Sequence, residues 1–355
     1  ESMIKAFEAV KDVDHPILLH INTLKGKGYQ PAINNKEAHH WVMPFDLKTD
    51  KTTVPMPEGP TANSVAMDVM KEHIEDGDKI MAINAAIPGV FGLDEIKEKY
   101  PANYHDVGIA EQESVAFAAG MAKEGAIPVL FENSTFLQRA FDQLSHDVAA
   151  NDLPVVMMVA GGGMSGTSKT HLGIFDQVMV SNLPNWIYLA PTTLAEEKAM
   201  MEWAIKQRKH PVAIKMPTKR VPEGQEFSHD YSEIKYDIKP GKDVALLALG
   251  DMYSMLGEKV ADELGASLVN PVSANILDKD TLDKLANENK VIVTLEDNLL
   301  DGGFGEKVAS YLGDKDVKIL NYGQKRVYTD QVPLKQILKD NRMTVDQIVE
   351  DVKKA

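Results

Sequence analysis

The spacing of apolar residues changes several times along the chain, and each change marks an element. Met3, Ile4, Phe7 and Val10 recur at helical spacing, which predicts an opening helix. PILLHINT, residues 16 to 23, is a near-continuous apolar run of the kind that a strand buried on both faces shows. Residues 24 to 60 are rich in Gly, Pro and charge and read as a long surface connection. From Ala62 the pattern settles into alternation. SVAMDVMKEHIED, AEQESVAFAAGMAKEGA, TFLQRAFDQLSHDVAAND and TLAEEKAMMEWAIKQR have helical periods, while KIMAINAA, IPVLFE, LPVVMMVA, NWIYLAP and PVAIKMP are strand-length apolar runs. After a polar stretch a second alternating unit follows. Its strands are DVALLALG, ASLVNPV, VIVTLED and VKILNYG, its helices YSMLGEKVADEL, TLDKLANEN and GGFGEKVASYL. Two short helices, VPLKQILKD and TVDQIVEDVKK, close the chain.

Long helices between strands imply crossover connections and parallel sheets. The expected fold is therefore α/β, with a leading segment at 1–55, a parallel-sheet domain at 56–220, a linker at 221–241 and a second α/β domain at 242–355. The chain opens at ESMIKAFEAV, inside or just before a helix, with neither an initiator methionine as first residue nor a polar tail, and so reads as the middle of something longer.

Composition narrows the partners. Lys+Arg 38 against Asp+Glu 53 gives a net charge of −15, which argues against nucleic acid or an anionic membrane as the main partner. An anionic small substrate needs only a locally positive pocket and stays open. The chain has Cys 0, so disulfides, thiolate metal sites and cysteine nucleophiles are excluded. No apolar run approaches the roughly 20 residues of a membrane span, and no signal peptide opens the chain, so the expected compartment is the cytoplasm.

In open α/β sheets, ligands sit beyond the carboxyl ends of the strands. DVGIAEQES, ENSTFLQRAFDQ and GGGMSGTSKTHLGIFD (161 to 176) each begin where a strand of the first domain ends, so they should share one rim. Ser134 or Thr135 is the expected N-cap of the helix after the second strand. The glycine stretch invites a phosphate-loop reading, but it misses that pattern by one residue in both registers: Ser168 stands at the second glycine in one, Thr167 at the lysine in the other. The rim offers Glu111, Phe136, Arg139 and His171. Singly these read as a helix-start carboxylate, a core aromatic, a surface arginine and a turn histidine.

Together they carry more. YPANYHDVGIAEQES, STFLQRAFDQLSHDV, KTHLGIFD and LPNWIYLAPT resemble the thiamine-diphosphate enzymes of the transketolase family, most of all their 1-deoxy-D-xylulose-5-phosphate synthase branch. HINTLKGKGYQPA, MPFD and VTLEDNLLDGGFG extend the likeness over nearly the whole chain. The resemblance implies the end of a diphosphate-binding domain at the front, then a pyrimidine-binding domain and a transketolase C-terminal domain. It implies thiamine diphosphate as cofactor, small keto and sugar-phosphate substrates (pyruvate and glyceraldehyde 3-phosphate in that branch), and a homodimer. The cofactor must lose a proton from its thiazolium carbon, and the protein assists by holding the aminopyrimidine in its imino form. A buried carboxyl bonded to the far ring nitrogen does this. By the family motif, Glu111 is that catalytic acid, Phe136 stacks on the pyrimidine, Tyr29 of KGKGY contacts the cofactor, and His171 of KTH is a catalytic residue facing the substrate.

The likeness has gaps. The family's Gly-Asp-Gly stretch and downstream Asn, which hold Mg2+ and the diphosphate, have no counterpart here, so the chain is expected to be a fragment or one subunit of a split enzyme, with those metal ligands on an N-terminal domain elsewhere. Asn133 replaces an aromatic, Ala160 and Thr218 replace arginines, Thr167 an aspartate, and Glu113 the histidine usual in the synthase. Losing two arginines removes bidentate phosphate grips. Arg139 and Lys169 are the expected substrate-binding cations, with Lys215 and Lys219 as further phosphate partners. The rival readings are a transketolase-like enzyme with another donor and acceptor, the beta subunit of a 2-oxo-acid dehydrogenase, and a non-catalytic paralogous partner.

Overall fold

In the computed structural model of the chain, the expected alternation of helix and strand holds from Ala62 onward. The structure describes all residues except 41, 56–57, 219–220 and 222–229. It divides into two units, Glu1–Glu58 and Gly59–Ala355.

The first unit holds α1 (Ser2–Val10), α2 (Gln30–Asn34) and an antiparallel pair, β1 (Phe45–Asp46) with β2 (Lys51–Thr52). The opening helix is as expected. PILLHINT, by contrast, forms no strand, and Leu18 in its middle is 92% exposed. A strand exists only through its ladder of backbone hydrogen bonds. Among the described residues of this unit the only paired strands are β1 and β2, and they pair with each other. An apolar run without a neighbouring strand stays unpaired.

The second unit begins with α3 (Ala62–Glu75), whose start is set by a reciprocal cap between Thr61 and Ser64. Then follow β3 (Ile80–Asn84), two short helices α4 (Pro88–Phe91) and α5 (Asp94–Lys99), β4 (Tyr104–Asp106), α6 (Glu111–Lys123) and β5 (Ile127–Asn133). The segment after β5 is a single helical rod of changing pitch. It is tight over Phe136–Ala140, α-helical over α7 (Phe141–Gln143) and wide over Leu144–Ala149. Next come β6 (Val156–Ala160), α8 (Asp176–Ser181), β7 (Ile187–Leu189), α9 (Leu194–Gln207) and β8 (Val212–Lys215). These strands form a parallel sheet in the order β4-β3-β5-β6-β8-β7, with β5 and β6 central and buried along nearly their whole length.

The second sheet has the order β13-β12-β10-β11-β9. It is built from β9 (Asp237–Lys239), β10 (Val244–Ala248), β11 (Ser267–Asn270), β12 (Val291–Leu299) and β13 (Lys318–Gln324). Around it lie α10 (Glu258–Leu264), α11 (Lys279–Glu288), α12 (Phe304–Tyr311), α13 (Leu334–Asp340) and α14 (Val345–Lys354). This sheet is mixed, since β9 pairs antiparallel with β11. Residues 237–239, expected as linker, supply that edge strand, and their Asp and Lys suit an edge that faces water. The two sheets are joined where Asn275 accepts from the Tyr188 backbone N–H and donates to the Trp186 carbonyl. No helix among the described residues is long and apolar enough to cross a membrane.

Candidate active site

The carboxyl ends of β4, β5 and β6 bring the three rim segments together, as the strand order requires. Glu111 is the first residue of α6 and is 3% exposed, although the segment reads as helix start. Its Oε2 is buried and makes no hydrogen bond among the described residues. The nearest cation is Arg139, whose Nη1 lies 3.5 Å from that oxygen. The tight turn after β5 explains the approach: in such a turn, side chains at i and i+3 stand one above the other, so Arg139 rises beside Phe136. Phe136 is half-buried, and its ring meets the His171 ring edge-on at 5.8 Å.

One further acid stands in this corner. Glu132, on β5, has no exposure, and its Oε2 also lacks a hydrogen bond. Burial raises its pKa to about 8, and the charge of Glu111 pushes the same way.

The expected caps are absent. Thr135 makes no capping bond; its hydroxyl donates to the Thr170 carbonyl at 3.3 Å, and Ser134 donates to Asp176 Oδ1 at 2.7 Å. Both hydroxyls tie the β5 turn to the loop after β6 instead.

That loop closes on itself. Gly163 and Gly173 pair across it, with the Gly163 N–H donating to the Gly173 carbonyl at 2.5 Å. The Lys169 N–H donates to Asp330 Oδ1 at 3.1 Å. These two backbone donors are already committed to protein acceptors, one of them a carboxylate, which disfavours a phosphate cradle here. Within the loop the hydroxyls of Ser168 and Thr170 lie 3.2 and 3.0 Å from His171 Nδ1. Nε2 of His171 makes no hydrogen bond among the described residues.

Beneath the loop is a cleft of about 380 Å³, lined among others by Asn133, Thr167, His171, Thr218, Asp251 and Asp297. Three of these, Asn133, Thr167 and Thr218, are among the positions read from the sequence as departures from the resembled pattern. Ala160, a fourth, pairs in register with Asn133 at the strand ends, while Glu113 is exposed on α6. Asp297 is ion-paired with Lys215, and both are buried. Burial alone would lower the Lys215 ammonium, but Asp297, Asp251 and Asp176 hold it above its ordinary value. Thr218 N–H donates to Asp251 Oδ2 at 2.9 Å. No lysine or arginine lines the cleft among the described residues.

The site residues read from sequence therefore separate. Glu111, Phe136, Arg139 and His171 gather at the rim, but only His171 reaches the cleft. Lys169 is exposed, and Arg139 faces Glu111 rather than the cleft walls. Lys215 is corrected as a phosphate partner: it is sealed from solvent and committed to Asp297. Lys219 lies outside the described residues. Tyr29 belongs to the first unit, where it caps α2, donates to Asp50 Oδ1 at 2.8 Å and packs against His39 and Phe45. Among the described residues no group of His, Asp or Glu could hold a metal ion. Glu132, Asp251 and Asp297 were missed. For Glu132 and Asp297 a signal existed, an acid inside an apolar strand run.

This fold and rim define a class. Residues 59–223 match the transketolase pyrimidine-binding domain and residues 233–348 the transketolase C-terminal domain, so the chain belongs to the transketolase family. Among curated relatives, it is 37% identical over 339 residues to the 1-deoxy-D-xylulose-5-phosphate synthase of Clostridium acetobutylicum, covering 92% of this chain and 54% of the relative. It is 35% identical to 1-deoxy-D-xylulose-5-phosphate synthase 1 of Geobacter sulfurreducens, covering 95% and 55%. The chain thus spans about half the length of the relatives it matches. Among solved structures, a chain described as "Split gene transketolase, inactive beta4 tetramer" superposes with a TM-score of 0.71 at 25% identity, covering 84% of this chain and 98% of that one.

Proposed function

We propose that the chain provides the pyrimidine-binding and C-terminal parts of a thiamine-diphosphate-dependent transferase of the 1-deoxy-D-xylulose-5-phosphate synthase type. The observation that carries this is Glu111, a buried carboxyl at the sheet rim with one oxygen unbonded, beside a half-buried aromatic. A buried carboxyl oxygen without a hydrogen bond fits a group that shares a proton with it at a ring nitrogen, so the residues present suit the aminopyrimidine. When bound, the cofactor supplies a carbon nucleophile. Glu111 holds the proton at the pyrimidine ring nitrogen, Phe136 gives the ring a flat apolar face, and His171 presents Nε2 to the reacting carbonyl from a ring whose Nδ1 two hydroxyls steady. The diphosphate and its Mg2+ belong to a domain resembling the family's N-terminal one, on the same chain or a second chain. The synthase relatives, nearly twice as long, support the first arrangement and the split-gene neighbour the second. Tyr29 is assigned to the cofactor, Arg139 and Lys169 to substrate. A cytoplasmic homodimer completes the reading.

A second reading is favoured by one observation: among the described residues the cleft offers hydroxyls, an amide, carboxylates and one histidine, with no lysine or arginine for a sugar phosphate. On that reading the enzyme moves a ketol unit between other partners. Steady-state turnover of the complete enzyme separates the two, with pyruvate and ketose phosphates as donors against a panel of phosphorylated and unphosphorylated aldehydes. Robust use of pyruvate with glyceraldehyde 3-phosphate establishes the synthase; turnover with ketose donors alone establishes the transketolase-like enzyme. Absence of turnover with every pair, although the cofactor is bound, defeats both.

A further inference from the structure

Glu132 has no place in the chemistry above, yet it is sealed beside its central acid. The hydrogen bonds around it assign its proton. Ser114 Oγ lies 2.7 Å from the backbone carbonyl of Glu111 and 2.9 Å from Glu132 Oε1. One hydroxyl has one hydrogen. The carbonyl can only accept and is the nearer, so it takes that hydrogen. The contact between Ser114 and Glu132 is then a hydrogen bond only if the carboxyl donates. Burial supports a neutral acid here, raising Glu132 to about 8; a hydrogen from Ser114 would oppose this, and the Glu111 charge reinforces it. Glu111, from α6, is the one ionisable group acting on Glu132 among the described residues, and the only cation nearby, Arg139 from the following turn, reaches Glu111.

We propose that Glu132 is a positioning residue for Glu111, acting as a neutral acid. It donates to Ser114, which donates to the Glu111 carbonyl and fixes the first turn of α6, where the Glu111 carboxyl stands. By staying uncharged it also leaves the corner with a single carboxylate. Ionising Glu132 removes both effects: Ser114 turns its one hydrogen to the Glu132 carboxylate and the Glu111 carbonyl loses its donor, while a second negative charge faces Glu111. The proposal rests on the thiamine-diphosphate reading, since that reading makes the placement of Glu111 matter.

Two measurements test it. The first uses the 355-residue chain without cofactor: infrared spectra of the parent minus Glu132→Gln, from neutral to alkaline pH. A protonated-carboxyl band present near neutrality and lost through about pH 8 is expected. If no such band distinguishes the two proteins, Glu132 is ionised and the proposal is overturned, whatever the cofactor. The second uses the complete enzyme. Glu132→Gln keeps a neutral donor, so its kcat should stay within about twofold of the parent near neutrality and resist the alkaline loss that the parent shows. Glu132→Ala and Ser114→Ala should each lower kcat severalfold with little change in KM, and the double variant should be no worse than either. An alkaline limb shared by the parent and Glu132→Gln, or fully additive losses, overturns the positioning role. Should Glu132→Ala not fold, Ser114→Ala decides alone: unchanged kcat defeats the proposal. Absence of cofactor binding by the parent is a separate outcome, defeating the functional reading and the positioning role with it, while the infrared result still stands.

Discussion

Glu132 and Asp297 are both buried beside the candidate site, yet they are accommodated in opposite ways. Asp297 stands against Lys215, a cation equally buried, and the pair sits within a group of further acids, Asp251 and Asp176. Glu132 has no cation and is accommodated by keeping its proton. Removing an ion from water costs several kcal/mol, and either a partner or a proton offsets that cost. Lys215 favours the charged form of Asp297 against burial, which raises it, whereas no cation among the described residues does the same for Glu132. The corner at Glu111 therefore holds a carboxyl whose charge state changes near neutrality.

The largest expected effect breaks the paired side of this contrast. Lys215→Met leaves Asp297 buried without its cation and should destabilise the fold by about 3–5 kcal/mol, read by urea unfolding. A cost below about 1 kcal/mol would mean that Asp297 is neutral, and the two acids would not differ.

Glu132→Gln tests the protonated side. The folded chain keeps the Glu132 proton up to about 8, whereas the ordinary value of 4.5 applies when unfolded. Between those values folding must retain a proton that the unfolded chain gives up, so the parent loses stability as pH rises through the window. The Gln variant lacks this dependence. It should match the parent at pH below 4.5 and gain over it by up to about 1.4 kcal/mol for each pH unit until about 8. Unfolding measured across that range checks the slope, and a gain that does not grow with pH refutes the assignment.

Gly163→Ala acts on the loop above the pair. Gly163 has φ +103, and an added methyl would run into the Asp297 carboxylate. A loss of roughly 1–3 kcal/mol in thermal unfolding is expected. Combined with Asp297→Ala, which removes the obstruction, the glycine change should cost less.

Arg139→Gln should do least to stability, about 0–1 kcal/mol, because the arginine is 58% exposed at 3.5 Å from Glu111. A loss above about 3 kcal/mol would make Arg139 the counter-charge of the corner, and the contrast with Lys215 would narrow.

Much of this was legible in the chain. The runs around β5, β6, β10 and β12 read as buried strands because both faces are covered, and the long helices between them required parallel crossovers. The rim followed from strand ends, so Glu111, Phe136 and His171 were placed there by position. PILLHINT misled because apolarity marks a residue that wants cover without saying whether a strand is there to cover it. Ser134 and Thr135 misled because their hydroxyls serve the loop after β6, a partner distant in sequence. Glu132 sat in plain view within IPVLFEN, and its oddity was the signal.

The sequence by itself determined the alternation of elements, the parallel first sheet, the carboxyl-end rim and the residue types offered there. These depend on local period and on connections, which a one-dimensional pattern carries. Only the tertiary structure decided which charges meet. Lys215 and Asp297 pair across two sheets, Arg139 turns to Glu111 rather than to the cleft, and Ser114 joins Glu111 to Glu132. Charge energies depend on distance and burial, both of which are properties of the folded chain.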